Sequence, residues 1–243
     1  MNSNKTVVKP YSAEGSKREQ VEKMFDSISH RYDFLNHFLS LGIDHIWRRR
    51  TVNKLKELAP KQILDVATGT GDLAVALLRL NPDKVIGLDL SEGMLSVGRK
   101  KMARKGIHNV EMVQGDSENL PFEDNQFDAI TVAFGVRNYE NLEKGLVEMK
   151  RVLRPGGKLV VLEFSKPSIF PVKQLFGFYS KVILPFFGRI FSGSSEAYTY
   201  LPESVKHFPE GKEFTDILTT CGYKNATFTR LSFGISSIYE GTK

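Results

Sequence analysis

The stretch Ile63-Leu64-Asp65-Val66-Ala67-Thr68-Gly69-Thr70-Gly71-Asp72-Leu73-Ala74 passes from an apolar, strand-like run through two glycines into a helix-like one. A strand that turns on glycines into a helix opens many nucleotide-binding α/β sheets, because the turn lets backbone amides approach a ligand at the helix start. The rhythm repeats outward from it. Short apolar runs at 63–67, 84–90, 110–116, 127–134 and 158–164 alternate with helical lengths, which predicts parallel strands joined by crossover helices. Leu142, Leu146, Met149 and Val152 make one helical face between the fourth and fifth runs, and Pro155-Gly156-Gly157 is expected to stop it. After a last helix around Glu213–Cys221, the extended segments 223–232 and 235–240 predict an antiparallel hairpin on the sheet edge. The expected class is α/β and Rossmann-like, with a seven-stranded, mostly parallel sheet closed by that hairpin.

Upstream, Val21, Phe25, Ile28, Tyr32 and Leu35 recur at steps of three and four, and the pattern resumes toward Trp47 and Leu55, predicting a helical N-terminal section. Residues 1–17 are polar and unpatterned and are expected to form a flexible tail. Residues 18–243 then form a single domain. Within it, 165–202 departs from the strand-helix rhythm, with Phe170, Phe176, Phe178, Tyr179, Phe186, Phe187, Phe191, Tyr198 and Tyr200 set among basic residues and prolines. Those charges exclude an uninterrupted membrane span. Core packing and an apolar opening for a substrate explain the aromatics equally well.

With 243 residues and 41% hydrophobic content, the chain is long enough to bury a substantial core. The net charge of +6 permits anionic partners, nucleic acid or an acidic lipid surface. A single cysteine, Cys221, rules out an internal disulfide and a thiolate-rich zinc site. No basic segment leads into a long apolar run, so the expected protein is soluble and cytoplasmic. Arg48-Arg49-Arg50 and Arg99-Lys100-Lys101 read as solvated helix faces.

Gly69-Thr70-Gly71 with Ala74 approximates a dinucleotide fingerprint, and Asp89 ends the second run where a ribose-binding acid belongs. Asp65 and Asp72, however, bracket the turn and would repel a pyrophosphate. S-adenosylmethionine, which has a ribose and an adenine but carries a sulfonium and an ammonium, fits better. Asp116, ending the third run, is placed to accept from the adenine amino group. Singly, Asp72 or Ser91 reads as a helix cap. Together, Asp65, Gly69, Gly71, Asp89 and Asp116 at successive strand ends outline one cofactor site.

This arrangement resembles the class I S-adenosylmethionine-dependent methyltransferases. Two stretches, YDFLNHFLSLGIDHIW (32–47) and RVLRPGGKLVVLEFS (151–165), together with FGVRN (134–138), are similar to the quinone-biosynthesis C-methyltransferases over nearly the whole chain from about residue 20. Leu35 stands where that family usually has methionine, and Asp44 where it usually has histidine, with His45 one place later. The resemblance implies C-methylation of prenylated demethylmenaquinol to menaquinol. It also implies a cofactor site comprising Thr70, Asp89, and Asp116 with Ser117. Other substrates stay open, namely a ubiquinone precursor, another lipid or RNA.

A quinol ring carbon becomes strongly nucleophilic once a neighbouring hydroxyl is deprotonated, so a cation near the oxygen assists. Arg137, with Asn138 beside it, is the candidate; its alternative is a surface arginine at a helix start. Tyr32, Asp33 and His45 are candidate base or positioning groups. Asp33 and His37, four apart on a helix, lack a third ligand in the pattern, and no metal is expected. No interleaved basic-aromatic groove or appended module points to nucleic acid. A nicotinamide-dependent oxidoreductase is disfavoured by Asp65 and Asp72, and a non-catalytic assembly subunit by the intact cofactor residues. The expected lipid tail implies peripheral contact with the inner face of the membrane. The oligomeric state is open, a homodimer being one option.

Overall fold

β1 (Gln62–Val66), β2 (Lys84–Asp89), β3 (Val110–Gln114), β4 (Phe127–Ala133), β5 (Leu153–Phe164), β6 (Lys224–Leu231) and β7 (Ser236–Thr242) form one sheet in the order β3-β2-β1-β4-β5-β7-β6. The first five are parallel, whereas β7 is antiparallel to both β5 and β6. The computed structural model describes residues 8–11, 14–183 and 195–243. Phe186, Phe187 and Phe191 of the aromatic insert, and most of the expected tail, lie outside the described residues.

The strands read as unbroken apolar runs because both faces are covered. Leu64, Ile86, Ile130, Leu159 and Val161 face one core with Leu146 and Met149 of α5 (Leu142–Val152). Ile63, Val85, Ala129, Val160 and Leu162 face the other, with Leu73 and Leu77 of α3 (Asp72–Leu77) and Trp47 of α2 (Ile43–Asn53). A third cluster joins Val21, Met24 and Ile28 of α1 (Lys17–Leu39) to Met94 of α4 (Glu92–Lys105). Asp26 of α1 accepts from Gly93 N at 2.9 Å and from the N-cap residue Ser91 at 2.5 Å. A carboxylate from α1 thus meets the positive end of α4.

Three local expectations need correction. The first helix takes in Lys17, assigned above to the tail. Pro155-Gly156-Gly157 does not stop α5, which ends at Val152 and runs straight into β5. The three residues lie within β5, where its pairing with β4 shifts register, and a Cβ on Gly157 would sit 2.8 Å from two backbone oxygens. The C-terminal hairpin does occupy the sheet edge, but only β6 is the edge strand. β7 is buried along nearly its whole length, between β5 and β6.

Candidate active site

β1 and β4 are neighbours whose connections leave in opposite directions, and a crevice opens at such a reversal of strand order. The backbone there is bent. Ala67 after β1 and Phe134 after β4 hold φ of 52° and 58°, conformations that cost non-glycine residues roughly 1–2 kcal/mol each. The loops touch so closely that a Cβ on Gly135 would meet Ala67 Cβ at 2.5 Å. Between these loops and α1 lies a cleft whose empty space, open mouth included, is about 740 Å³. Val21, Phe25 and Tyr32 form its upper wall, and Gly69, Asp89 and Asp116 its lower one.

Asp89 ends β2 and accepts from Gly69 N at 2.7 Å and Ser91 N at 2.9 Å. Burial raises its pKa, against the pull of those amides. Asp116 pairs with Arg18 of α1 at 3.1 Å, and Ser117 lies beside it on the cleft wall. Beyond Gly69 a smaller hollow is lined by Arg48, Asp65, Thr68, Thr70 and Asp72, with Tyr32 shared between the two. S-adenosylmethionine fits this set. Acceptors for ribose and amine face the larger cleft, and the hollow offers charges of both signs to an amino-acid end. A Cβ on Gly69 would meet only Tyr32 Cε1, at 3.9 Å, so the turn is open to a ligand.

Asp72 does not act as the bare charge inferred from the sequence. Lys101 reaches it at 2.7 Å, with Arg48 at 3.5 Å and His37 at 3.4 Å, so its weight against a pyrophosphate is largely neutralised. Arg48 and Lys101 are correspondingly not solvated, their side chains being 9% and 10% exposed. Thr70 donates to Asp33, which Lys101 also holds at 2.6 Å. Asp33 is thereby occupied.

Asp65 is 1% exposed and accepts from Thr68 and Thr131 hydroxyls, each at 2.6 Å. Burial pushes its pKa from 3.8 up to about 6. An acid raised in this way stabilises the fold below its unfolded pKa and loses that contribution as pH rises through about 6. The shift corresponds to about 3 kcal/mol. In the ligand-free protein, Asp65→Asn is expected to flatten the fall in melting temperature between roughly pH 4 and 7. A variant that follows the wild-type pH course in thermal scans would contradict this.

Arg137, on the turn Val136–Asn138, is not a surface arginine. Its side chain is 6% exposed, donates to Glu163 at 2.7 Å and to Phe134 O at 2.5 Å, and lies over the Phe164 ring. Glu163, named in the sequence only as part of a signature, is fully buried; burial raises its pKa while Arg137 opposes the rise. Asn138 lines the cleft. Lys17 is the residue that sequence reasoning missed. Its ammonium donates to Arg137 O at 3.0 Å and Tyr139 O at 2.8 Å, pinning the turn, and burial lowers its pKa to about 8. Tyr32 is half-buried, and burial raises its phenol pKa.

His45 is exposed and stacks on His37 at 4.4 Å. With Asp44 these two form a cluster whose ligand atoms lie within 4.8 Å, a grouping different from the Asp33–His37 pair. Asp44 is already engaged by Ser40, His37 and Arg48, which supplies a structural role for the residue that replaces the usual histidine.

The model of the ubiE/COQ5 methyltransferase family matches residues 13–243. A demethylmenaquinone methyltransferase of Bacteroides fragilis is 50% identical over 100% of both chains. One from Porphyromonas gingivalis is 44% identical over 97% of this chain and 98% of that protein. A ubiquinone/menaquinone biosynthesis C-methyltransferase of Geotalea daltonii is 44% identical over 93% and 97%. Among solved structures, a SAM-dependent methyltransferase from Thermotoga maritima superposes with a TM-score of 0.66 at 21% identity, covering 91% of this chain and 99% of that one. At these identities the likeness extends to the fold.

Proposed function

The chain belongs to the ubiE/COQ5 methyltransferase family, and from that premise we propose that it methylates a ring carbon of prenylated demethylmenaquinol to give menaquinol. S-adenosylmethionine, when bound, supplies an electrophilic methyl group. The observation that carries this reading is the buried Arg137–Glu163 pair, one residue from Asn138 on the wall of the cleft that also holds Asp89.

A phenolic hydroxyl with a pKa of roughly 10 stays protonated near neutrality unless a neighbouring cation favours its anion. Arg137 provides that cation where little water dilutes its field. Glu163 fixes the guanidinium, and Lys17 fixes the backbone that carries it. Asp89 and the Gly69 turn hold the cofactor end, while Phe134 and Tyr32 exclude water between the two.

Peripheral membrane contact is part of the same reading. Leu41 and Ile46 are exposed at one end, Ile169, Phe170, Leu175 and Phe178 at the start of the insert, and Tyr179 Oη bonds Leu39 O at 2.7 Å to join the two segments. Between residues 34 and 56 the sole acid is the buried Asp44, while Arg49, Arg50 and Lys56 are exposed. An apolar face with basic residues suits an anionic bilayer that delivers a prenyl chain. No helix among the described residues is long and apolar enough to cross a membrane.

The test is anaerobic transfer of labelled methyl to a demethylmenaquinone in phosphatidylglycerol-containing vesicles, with and without dithionite. Transfer is expected only to the reduced form, because the oxidised ring is itself an electrophile, and the protein is expected to sediment with anionic but not neutral vesicles. Comparable transfer to the quinone, or preferred transfer to total RNA, would defeat the reading. Equal sedimentation with neutral vesicles would remove the electrostatic contact. A benzoquinol arm shows whether ubiquinone precursors are accepted, as the name of the Geotalea relative suggests.

A further inference from the structure

The insert helix Ser195–His207 packs on the turn that carries Arg137 and Asn138, and buried polar atoms lack partners on both sides of this seam. From the helix comes Tyr200, 5% exposed, whose Oη has no hydrogen-bond partner among the described residues. From the turn come Arg137 Nε and Asn138 Oδ1, buried and equally unpartnered there. The Tyr200 ring belongs to the apolar cluster of Val21 and Met94, which also line the cleft. Burial raises the pKa of its hydroxyl to about 12, with Arg137 opposing the rise and Glu163 adding to it, so both charges lie within electrostatic range of Tyr200.

Unmatched buried donors and acceptors are rare in native proteins, and these three, with Tyr139 Oη beside Asn138, suit a polar group held between the helix and the turn. The chemistry of the three restricts what that group is. Arg137 Nε–H donates, Asn138 Oδ1 accepts, and the Tyr200 hydroxyl does either. A carbonyl, carboxylate or phosphate dianion has no proton for Asn138. A hydroxyl oxygen donates one hydrogen bond and accepts two, matching all three atoms.

We propose that Tyr200 is a substrate-binding residue whose hydroxyl joins Arg137 Nε–H and Asn138 Oδ1 around one hydroxyl of an aromatic diol, so that the insert helix completes the acceptor site. Naming the diol as a naphthoquinol rests on the function proposed above. The assignment also gives the insert a polar task beside its apolar one. On ionisation the oxygen gives up its bond to Asn138 and keeps the two donors, Tyr200 and Arg137.

The probe is 1,4-naphthalenediol, kept reduced with dithionite and titrated calorimetrically into wild type and Tyr200→Phe. Removing one hydroxyl while keeping the ring is expected to weaken diol binding about ten-fold. S-adenosylmethionine affinity should stay unchanged, and the melting temperature of the free protein should stay level or rise, since an unmatched hydroxyl has been deleted. The dimethyl ether of the diol, which cannot donate to Asn138, should bind more weakly than the diol to the wild type. Diol binding equal in the two proteins would overturn the proposal, as would a drop in melting temperature with loss of S-adenosylmethionine binding, which would make the hydroxyl structural. A Tyr200-dependent diol affinity in a protein that fails to methylate demethylmenaquinol would uphold this site and refute the proposed substrate.

Discussion

Replacing Asp89 by alanine is expected to weaken S-adenosylmethionine binding by roughly a hundredfold, in a protein that still folds. One part of the loss is the charged acceptor offered to the ribose, about 1.5–3 kcal/mol. The other is local. Asp89 accepts from Gly69 N and Ser91 N, so it holds the glycine turn and the start of α4 at once. Without it the Gly69 amide, on a backbone held at φ 58°, has lost its anchor. Asp89→Asn keeps one side-chain acceptor and should fall between the two. Titration calorimetry, with circular dichroism as the check on folding, decides the matter. Wild-type affinity in folded Asp89→Ala would remove Asp89 from the site.

Arg137→Ala should lower turnover by about 10²–10³-fold, the loss typical when one donor to a developing oxyanion is removed. Cofactor affinity should change little. Stability should fall as well, because deleting one member of a buried pair leaves a charge without compensation, a loss of about 3–5 kcal/mol. The pH course separates the two effects. Burial raises the pKa of Glu163, and Arg137 is the partner that holds it down. Without Arg137 the acid rises further, so the variant keeps its stability at low pH and loses it as pH climbs through the folded-state pKa. Adding Glu163→Gln should restore stability at neutral pH without restoring turnover. Recovered turnover in the double variant would show that Arg137 acts through the fold and not on the substrate.

Alternating apolar runs were enough to read the parallel sheet, because strands covered on both faces need no polar alternation. The acids at successive strand ends were legible for a similar reason: Asp89 and Asp116 follow directly from where their strands stop. What escaped depends on partners distant in sequence. Lys17 sits in polar surroundings and looks like tail, yet its ammonium crosses to carbonyls more than a hundred residues away. Glu163 lies in an apolar strand with nothing local to mark it as half of an ion pair. Asp72 looks bare from its neighbours, and only the fold brings Lys101, Arg48 and His37 to it. The hairpin was visible, but which of its strands faces inward was not. Both are short, and the inner position follows from β7 pairing with β5.

That inner position couples folding to the order of synthesis. β7 leaves the ribosome after every other strand of the sheet, yet it fills the gap between β5 and β6. Until residues 236–242 have emerged, the nascent sheet ends at β5, a long edge with its backbone groups unpaired, while β6 has no strand beside it. Such an edge invites pairing with another chain. The sheet is therefore exposed to aggregation until β7 has emerged, and a chain that stops short of β7 retains that edge for its lifetime.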